Sequence, residues 1–439
     1  MKKAFEILVC VLCLFLITVT CIMDDHLHRR RNDRFLIEQY GMSFYLFYDI
    51  YDTFINNRTL DITQEEKKEI KNFYKNLHKK NFFKEKIEKK NIVVLQLESI
   101  DKIMIDAKYQ GRYVMPNINK LMDDSIYFPN TYNQAEVGQT SDAEIMFLTS
   151  MLPLNGEVMA YQYDLTHLPS LPRILQQEGY LTTYMHGYTP DMWNRFQYLK
   201  ALGFQKTYFE PNFPNGEKKG WGVSDKYMLT KVMEKIEETN ELQYLHFSFL
   251  TNHAPYNYVK DSNFIKEPKN FIEHYINSVY YTDEAIGWFL SELEKKDVLK
   301  DTVLVIFADH NSSMVHRGIE ENNFTVQVYN YFEKDFDNFT VREVPFLIYN
   351  GRDSFVSNRL ISQVDIGTLI LDMFDIKRPE IMLGLTNYKG LDGLLTNRNE
   401  LIYLNENNDY EIKEIDIDMD LIIQGTLSKE VSLLEETKN

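Results

Sequence analysis

Short apolar runs alternate with amphipathic segments through the middle of the chain. The apolar runs are rich in β-branched and aromatic residues and predict buried strands at residues 92–97, 181–185, 244–249, 302–308 and 344–349. The amphipathic segments have apolar residues at helical spacing and predict helices at residues 170–178, 225–238, 273–294 and 364–374. This alternation is typical of an α/β domain, with a mainly parallel central sheet and helices on both of its faces.

The pattern changes after residue 390, where short apolar stretches flank Asn-Asp turns. Residues 401–404, 410–415 and 421–425 predict short antiparallel strands. We therefore expect the main domain at residues 91–390 and a small C-terminal α+β subdomain at residues 391–439.

The N-terminal region predicts a membrane anchor. Residues 4–23 are mostly apolar and follow two lysines, and about 20 apolar residues suffice to cross a bilayer. We expect residues 1–23 to form an uncleaved transmembrane helix, with a cleaved signal peptide as the alternative. The strongly charged residues 24–90 then form a linker with helical pieces, such as residues 64–79.

The orientation of this anchor depends on two opposing considerations. Arg29, Arg30 and Arg31 outnumber the lysines before the apolar segment. The positive-inside rule therefore favours the cytoplasmic side of the membrane for the residues that follow. Large domains, however, are translocated largely regardless of nearby charge. We expect a single-pass protein of the cell membrane with its folded domain outside the cell.

Composition narrows the classes of function. Of the 439 residues, 44% are hydrophobic, which is enough to bury a large core. The net charge of −17 argues against a nucleic acid as the partner. All three cysteines, Cys10, Cys13 and Cys21, lie in the first 21 residues, so the folded domain has neither disulfides nor a cysteine nucleophile.

Acidic and imidazole side chains follow two of the predicted strands directly. Glu98 comes after residues 92–97, and Asp309 and His310 come after residues 302–308. Ligands of open α/β sheets bind outside the carboxyl ends of the strands, so these three side chains are expected to converge there. For Glu98 alone, an ordinary strand-end acid that meets solvent is the competing interpretation.

A hydroxyl nucleophile is predicted at Thr140. The segment Ser141-Asp142-Ala143-Glu144 matches a capping box, which predicts that a helix begins at residues 140–141. A helix N-terminus favours a phosphate and a developing alkoxide, and Gly138 lets the backbone approach a ligand closely. A threonine hydroxyl reacts only when a base or a metal activates it. An ordinary helix cap is the competing interpretation.

Glu98, Thr140, Asp309 and His310 together offer three oxygens and one nitrogen. Such donors suit one hard or borderline divalent cation. We expect Mn²⁺, with Mg²⁺ and Zn²⁺ as alternatives. The sequence therefore predicts a single metal centre at the carboxyl edge of the sheet.

Four further residues are candidates for contact with a substrate. His186 and His253 follow predicted strands of the same sheet. Arg195 is suited to bidentate contact with a phosphate. The ring of Trp193 is suited to packing against a ligand. For the histidines and the tryptophan, a structural role is the competing interpretation.

The segments around these residues resemble the motifs of lipoteichoic acid synthases, which are phosphoglycerol transferases of the alkaline phosphatase/sulfatase superfamily. The resemblance extends from about residue 91 to residue 390. The matching segments stand in the family's order, at residues 97–99, 138–142, 186–187, 192–195, 251–256, 281–287, 308–310, 344–346 and 363–365.

The resemblance implies a two-step transfer in which metal-activated Thr140 is the nucleophile. Thr140 would attack the phosphate of phosphatidylglycerol and diacylglycerol would leave. A hydroxyl of a glycolipid, of a growing glycerol phosphate chain or of water would then accept the glycerol phosphate. The resemblance also implies a phosphoglycerol pocket lined by His186, Trp193, Arg195 and His253, with His253 as a general acid or base.

Three departures from the family pattern leave alternatives open. Gln139 stands where the family usually has lysine, Asn311 where it often has tyrosine, and the N-terminus has room for one membrane helix instead of several. These differences concern the substrate and the polymer length more than the metal chemistry. A phosphoethanolamine transferase, a phosphodiesterase or a sulfatase of the same superfamily is an alternative, and so is a membrane-anchored binding or sensor protein without catalysis.

Overall fold

An eight-stranded sheet forms the centre of the protein. The structure is a computed structural model that describes residues 41–46, 62–260, 264–313, 320–350, 354–407 and 409–428. The strands of the sheet are, in chain order, β1 Asn91–Leu97, β2 Ser125–Tyr127, β3 Leu181–His186, β4 Lys206–Tyr208, β5 Gln243–Ser248, β6 Thr302–Ala308, β7 Phe346–Tyr349 and β8 Phe355–Val356. All five strands predicted from the sequence belong to this sheet.

The sheet is mixed, and its larger part is parallel. The order of the strands is β8-β2-β7-β6-β1-β5-β3-β4. The five strands from β6 to β4 run parallel to one another. Only β7 is antiparallel to both of its neighbours in this sheet. The mainly parallel sheet predicted by the strand–helix alternation is confirmed.

The register of β1 and β6 positions the ends of both strands. Leu97 is paired with Ala308, so the two strands end level with each other. Both are almost wholly buried, because each face of the sheet is covered by an apolar core. The next residues, Glu98 and Asp309, therefore emerge side by side at one edge of the sheet.

Helices cover both faces of the sheet. The longer ones are α1 Gln64–Lys75, α2 Pro116–Met122, α3 Gln139–Thr149, α4 Leu171–Gln177, α5 Arg195–Ala201, α6 Asp225–Glu237, α7 Phe271–Lys295, α8 Phe324–Tyr331, α9 Gln363–Met373 and α10 Met419–Leu427. On one face α3 packs against α9, and on the other α6 packs against α7. The four helices predicted within the main domain correspond to α4, α6, α7 and α9.

The segment before the sheet is packed onto the domain. Helix α1 contacts α10, where a Cβ on Gly425 would lie 2.3 Å from Ile70 Cδ1. The predicted helix at residues 64–79 ends earlier, at Lys75, because Leu77–Lys79 instead pairs with Thr386–Tyr388 as an antiparallel ladder.

The C-terminal part is a small antiparallel sheet followed by a helix. Its strands are β9 Leu394–Leu395, β10 Glu400–Leu404 and β11 Tyr410–Glu414. The prediction of a strand at residues 421–425 is wrong, because these residues lie within α10. Asp418 caps this helix by accepting a hydrogen bond from Leu421 N at 3.1 Å, and the apolar face packs against α1.

The predicted membrane anchor at residues 4–23, with the arginines at residues 29–31, lies outside the described residues. Within the described ranges, no helix combines the length and the apolar character that a membrane span requires. Helix α7 has 25 residues but includes several acidic side chains.

Candidate active site

Glu98, Asp309 and His310 come together beyond the carboxyl ends of β1 and β6. One ligand atom from each of them lies within 4.8 Å of the others, and all three residues are buried. His310 Nε2 is 3.7 Å from Glu98 Oε1 and 3.6 Å from Asp309 Oδ2. The level ends of two adjacent parallel strands produce this convergence.

Neighbouring backbone groups fix the orientation of these side chains. Asp309 Oδ1 accepts hydrogen bonds from Ser99 N at 2.9 Å and from His310 N at 2.7 Å. The second oxygen, Oδ2, is buried and has no hydrogen-bond partner among the described residues. His310 Nδ1 donates to the Asn311 carbonyl oxygen at 2.8 Å. In the neutral imidazole, Nε2 therefore carries the lone pair, on the side of the carboxylates.

The cluster fits a divalent cation. Burial raises the pKa of Asp309 to about 7, and the nearby Glu98 carboxylate adds to this effect. Burial acts to lower the pKa of His310, but Asp309 and Glu98 outweigh it and the net change is upward. A cation would neutralise both carboxylates and would give Asp309 Oδ2 the partner that it lacks among the described residues.

Thr140 places its hydroxyl beside this cluster. It lies in the first turn of α3 and is only 6% exposed. Its Oγ1 is 3.4 Å from His310 Nε2. At the start of a helix, a phosphate bound to this hydroxyl would also lie at the positive end of the helix dipole. The structure therefore brings the four predicted metal ligands to one place.

The start of α3 differs from the predicted capping box. Gly138 occupies the N-cap, and Ser141 Oγ donates to the Gly138 carbonyl oxygen at 2.8 Å instead of capping the helix. The turn is stabilised by Asp142, whose Oδ2 accepts from Glu136 N at 3.1 Å and Gly138 N at 2.9 Å. A Cβ on Gly138 would lie 2.2 Å from Asp142 Oδ1, so the close approach at this glycine is to the protein's own carboxylate.

Glu144 points into the core, which is why it does not cap the helix. Its carboxylate accepts from Arg195 Nη2 at 3.1 Å and Nε at 3.2 Å. Tyr184, Tyr198 and Gln96 donate to the same carboxylate. Burial opposes ionisation of Glu144, but Arg195 and the hydrogen bond from Tyr198 bring its pKa down to about 2. Glu144 is therefore an ionised partner of Arg195.

A pocket beside the cluster contains the other predicted residues. Its walls include Glu98, Thr140, His186, Trp193, Arg195 and His253. His186 Nδ1 is 3.0 Å from the Ser248 carbonyl oxygen, and burial together with Arg195 lowers the pKa of this histidine to about 3. His186 is therefore neutral and is held by the backbone.

Arg195 and His253 differ in how far their side chains are exposed at the pocket. Arg195 is 1% exposed, and two of its three guanidinium nitrogens donate to Glu144. His253 is only partly buried, and its Nδ1 is 3.0 Å from the Ala254 carbonyl oxygen. The substrate contacts of both residues stay predictions.

Four residues of the same pocket have no counterpart in the sequence prediction, namely Tyr188, Met192, Trp221 and Leu250. Trp221 lies at the turn of a hairpin formed by Lys218–Lys219 and Gly222–Val223, called the Trp221 hairpin below. The available signal was Gly220-Trp221-Gly222, because glycines on both sides of an aromatic residue indicate a tight turn. Met192 directly precedes Trp193 in the segment at residues 192–195, whereas for Tyr188 and Leu250 only the fold reveals their position.

Known proteins share this sequence pattern. A family profile described as Sulfatase matches residues 90–376, more than half of the chain. Lipoteichoic acid synthase 2 of Bacillus subtilis (strain 168) is 28% identical over 403 residues, which cover 87% of this chain and 61% of the relative. Lipoteichoic acid synthase 1 of the same organism is 31% identical over 297 residues, which cover 65% of this chain and 45% of the relative. The chain thus spans about half to three fifths of the length of these relatives.

A solved structure shares the fold. The lipoteichoic acid synthase LtaP from Listeria monocytogenes superposes with a TM-score of 0.66 at 21% identity, covering 84% of this chain and 97% of that chain. The chain thus has the same α/β fold as LtaP. Since the Sulfatase profile covers the central sheet from β1 through α9, with Glu98, Thr140, Asp309 and His310 on it, the chain belongs to the sulfatase family.

Proposed function

We propose that the protein is a phosphoglycerol transferase that acts on phosphatidylglycerol, anchored in the cell membrane with its catalytic domain outside the cell. The observation that carries this proposal is the position of Thr140 Oγ1, 3.4 Å from His310 Nε2 and beside the buried cluster. The names of the relatives, lipoteichoic acid synthases, support it. The product would be a glycerol phosphate polymer of lipoteichoic acid type, or its primer.

Glu98, Thr140, Asp309 and His310 would hold one divalent cation, and Mn²⁺ suits their oxygen and nitrogen donors. When bound, the cation supplies charge that stabilises the phosphoryl oxygens and lowers the pKa of the threonine hydroxyl. The remaining tasks, which are binding, orientation and proton transfer, belong to side chains of the pocket.

In the first step, Thr140 Oγ1 gives up its proton to solvent water and attacks the phosphorus of the phosphatidylglycerol headgroup. The P–Oγ1 bond forms while the bond from phosphorus to the diacylglycerol oxygen breaks. His253 donates a proton to that oxygen as it leaves. Arg195, held in place by Glu144, would bind the phosphate, and Trp193 would pack against the glycerol.

In the second step, an acceptor hydroxyl attacks the phosphorus of the glycerophosphoryl-threonine. His253 Nε2 takes the proton of the acceptor while the new P–O bond forms. The P–Oγ1 bond breaks, its electron pair returns to Thr140, and Oγ1 takes up a proton from solvent water. A glycolipid or the end of a glycerol phosphate chain would be the acceptor.

The test is incubation of the full-length protein with phosphatidylglycerol that carries a fluorescent acyl chain, in vesicles with Mn²⁺ and a glycolipid acceptor. The proposal predicts fluorescent diacylglycerol together with glycerol phosphate attached to the acceptor. Release of free glycerol phosphate alone would identify a phosphodiesterase. Turnover of phosphatidylethanolamine or of a sulfate ester in preference to phosphatidylglycerol would identify a different transferase or a sulfatase. Metal binding without any turnover would identify a binding or sensor protein.

A further inference from the structure

Trp221 and His253 donate hydrogen bonds to the same backbone carbonyl. Trp221 Nε1 is 3.2 Å from the Ala254 oxygen, and His253 Nδ1 is 3.0 Å from it. The indole and imidazole rings pack together, with their centroids 4.2 Å apart. Because a carbonyl oxygen only accepts, His253 Nδ1 carries a proton, and Nε2 is the ring nitrogen that serves the pocket.

Two glycines let the Trp221 hairpin approach His253 and the Ala254 carbonyl oxygen closely. A Cβ on Gly222 would lie 2.1 Å from the Gly187 carbonyl oxygen, which directly follows β3. Gly220 has a φ of +77°, and a Cβ there would lie 2.6 Å from Tyr258 Cδ2. Trp221 Nε1 also reaches the Tyr258 hydroxyl at 2.9 Å. The hairpin is therefore fitted closely against the pocket wall, with its indole fixed by two acceptors.

The exposure of Trp221 indicates that the ring does more than fill the core. It is 40% exposed, yet its indole lies against a histidine of the pocket. A tryptophan that serves only packing is ordinarily more deeply buried. The arrangement restricts rotation of the His253 ring, which otherwise stands partly open to solvent.

We propose that Trp221 is a positioning residue for His253. This inference rests on the proposed function. Trp221 holds the imidazole with Nε2 toward the reacting phosphate, so that His253 protonates the diacylglycerol oxygen as its bond to phosphorus breaks. In the second step the same nitrogen takes the proton of the acceptor hydroxyl as its oxygen bonds to phosphorus and the bond to Thr140 breaks.

The test compares two substrates that differ in their need for a general acid. Phosphatidylglycerol loses a basic alkoxide, which needs a proton, whereas the p-nitrophenyl ester of glycerol phosphate loses a phenolate that leaves without one. In the full-length protein, Trp221→Ala should slow diacylglycerol release by about 10- to 100-fold and leave the p-nitrophenol burst within about twofold of wild type. Trp221→Phe, which keeps a ring against His253 but loses the N–H donor, should show a smaller loss with phosphatidylglycerol only.

A double-mutant comparison separates positioning from a general disturbance. His253→Ala should show the same difference between the substrates, and adding Trp221→Ala to it should cause little further loss, because both changes remove one function. Tyr113→Ala is the matched control, since Tyr113 is also an exposed aromatic residue on a short hairpin, 41% exposed. It should leave both rates unchanged.

Several outcomes would overturn the inference. Equal losses with both substrates in Trp221→Ala and Trp221→Phe would show a structural role only. Wild-type diacylglycerol release by both variants would show that His253 needs no support from Trp221. If the wild-type protein releases neither diacylglycerol nor p-nitrophenol, the proposed function fails and this inference fails with it.

Discussion

Arg195 and Glu144 form a buried ion pair behind the helix that carries Thr140. Arg195 Nη2 is 3.1 Å from Glu144 Oε1, and the two side chains are 2% and 0% exposed. Glu144 lies four residues after Thr140, on the next turn of α3. The ion pair therefore connects the helix of the predicted nucleophile to the pocket wall that carries the predicted phosphate-binding arginine.

Glu144→Gln should destabilise the protein strongly. It leaves the Arg195 guanidinium buried without its counter-charge, and loss of one partner of a buried pair typically costs about 3 kcal/mol or more. Denaturant unfolding of the metal-free protein measures the change. The control is Glu234→Gln, which removes an exposed pair with Lys231 and should leave the unfolding free energy almost unchanged. Equal stabilities of the two variants would contradict the importance of the buried pair.

Asp309→Asn should abolish or greatly weaken binding of Mn²⁺. The substitution removes one of the two carboxylates of the cluster, so the loss should exceed the roughly 10- to 100-fold effect that is typical of changes outside the ligand shell. Calorimetric titration measures the affinity. Asp283→Asn is the control, since Asp283 is a buried carboxylate that accepts from Asn117 N and Ile118 N and should affect stability only. A metal bound with full affinity in Asp309→Asn would place the centre elsewhere.

Thr140→Ala should eliminate transfer and leave the fold nearly intact. The hydroxyl is the predicted nucleophile, so the rate with phosphatidylglycerol should fall by about 10³-fold or more. Mass spectrometry of the trapped wild-type protein should find a glycerophosphoryl group on the peptide that contains Thr140. Thr149→Ala is the control, because this threonine lies at the other end of α3 and donates to the Ile145 carbonyl oxygen. Near-normal turnover by Thr140→Ala would mean that water is the attacking group.

Because of His246, the free energy of unfolding should decrease as the pH falls from about 6.5 to about 4. Burial lowers its pKa to about 4 in the folded state, whereas an unfolded chain has a histidine pKa of about 6.5. Between these values the unfolded state binds a proton that the folded state does not, so the unfolding free energy decreases with falling pH.

The contribution of His246 to this slope is at most about 1.4 kcal/mol per pH unit. His246→Gln should remove it, so the difference in unfolding free energy between wild type and variant should be constant above pH 7 and should shrink below pH 6. A difference that stays constant down to pH 4 would show that His246 does not carry the proton linkage.

The N-terminal segment should place the catalytic domain outside the cell. Protease treatment of intact cells should release a fragment that begins within residues 24–90, since residues 1–23 stay in the membrane. A cytoplasmic enzyme is the control for cell integrity. Resistance of the domain until the cells are broken would mean that the arginines at residues 29–31 set the opposite orientation.

The local pattern of the sequence predicted five of the eight strands of the central sheet and the positions of the candidate metal ligands. Five apolar runs predicted five strands of the sheet, because strand formation depends on a short stretch of residues that are buried on both faces. Glu98 and Asp309 could be placed together because each directly follows such a run, and parallel strands end at a common edge. The position of each carboxylate directly after a strand and the parallel direction of the two strands were sufficient to predict that the carboxylates lie together.

Where local sequence patterns gave a wrong prediction or no prediction, tertiary contacts determined the structure. The capping-box pattern predicted that Glu144 caps the start of its own helix. In the structure, its carboxylate instead accepts a hydrogen bond from a buried arginine 51 residues later. The apolar run at residues 421–425 fits a strand or a helix, and packing against α1 makes it a helix. Trp221 lies against His253, 32 residues further along the chain. No spacing of residues in the sequence predicts that contact. Periodicity reports only which face of an element is buried, so the partner of each side chain is known only once the chain has folded.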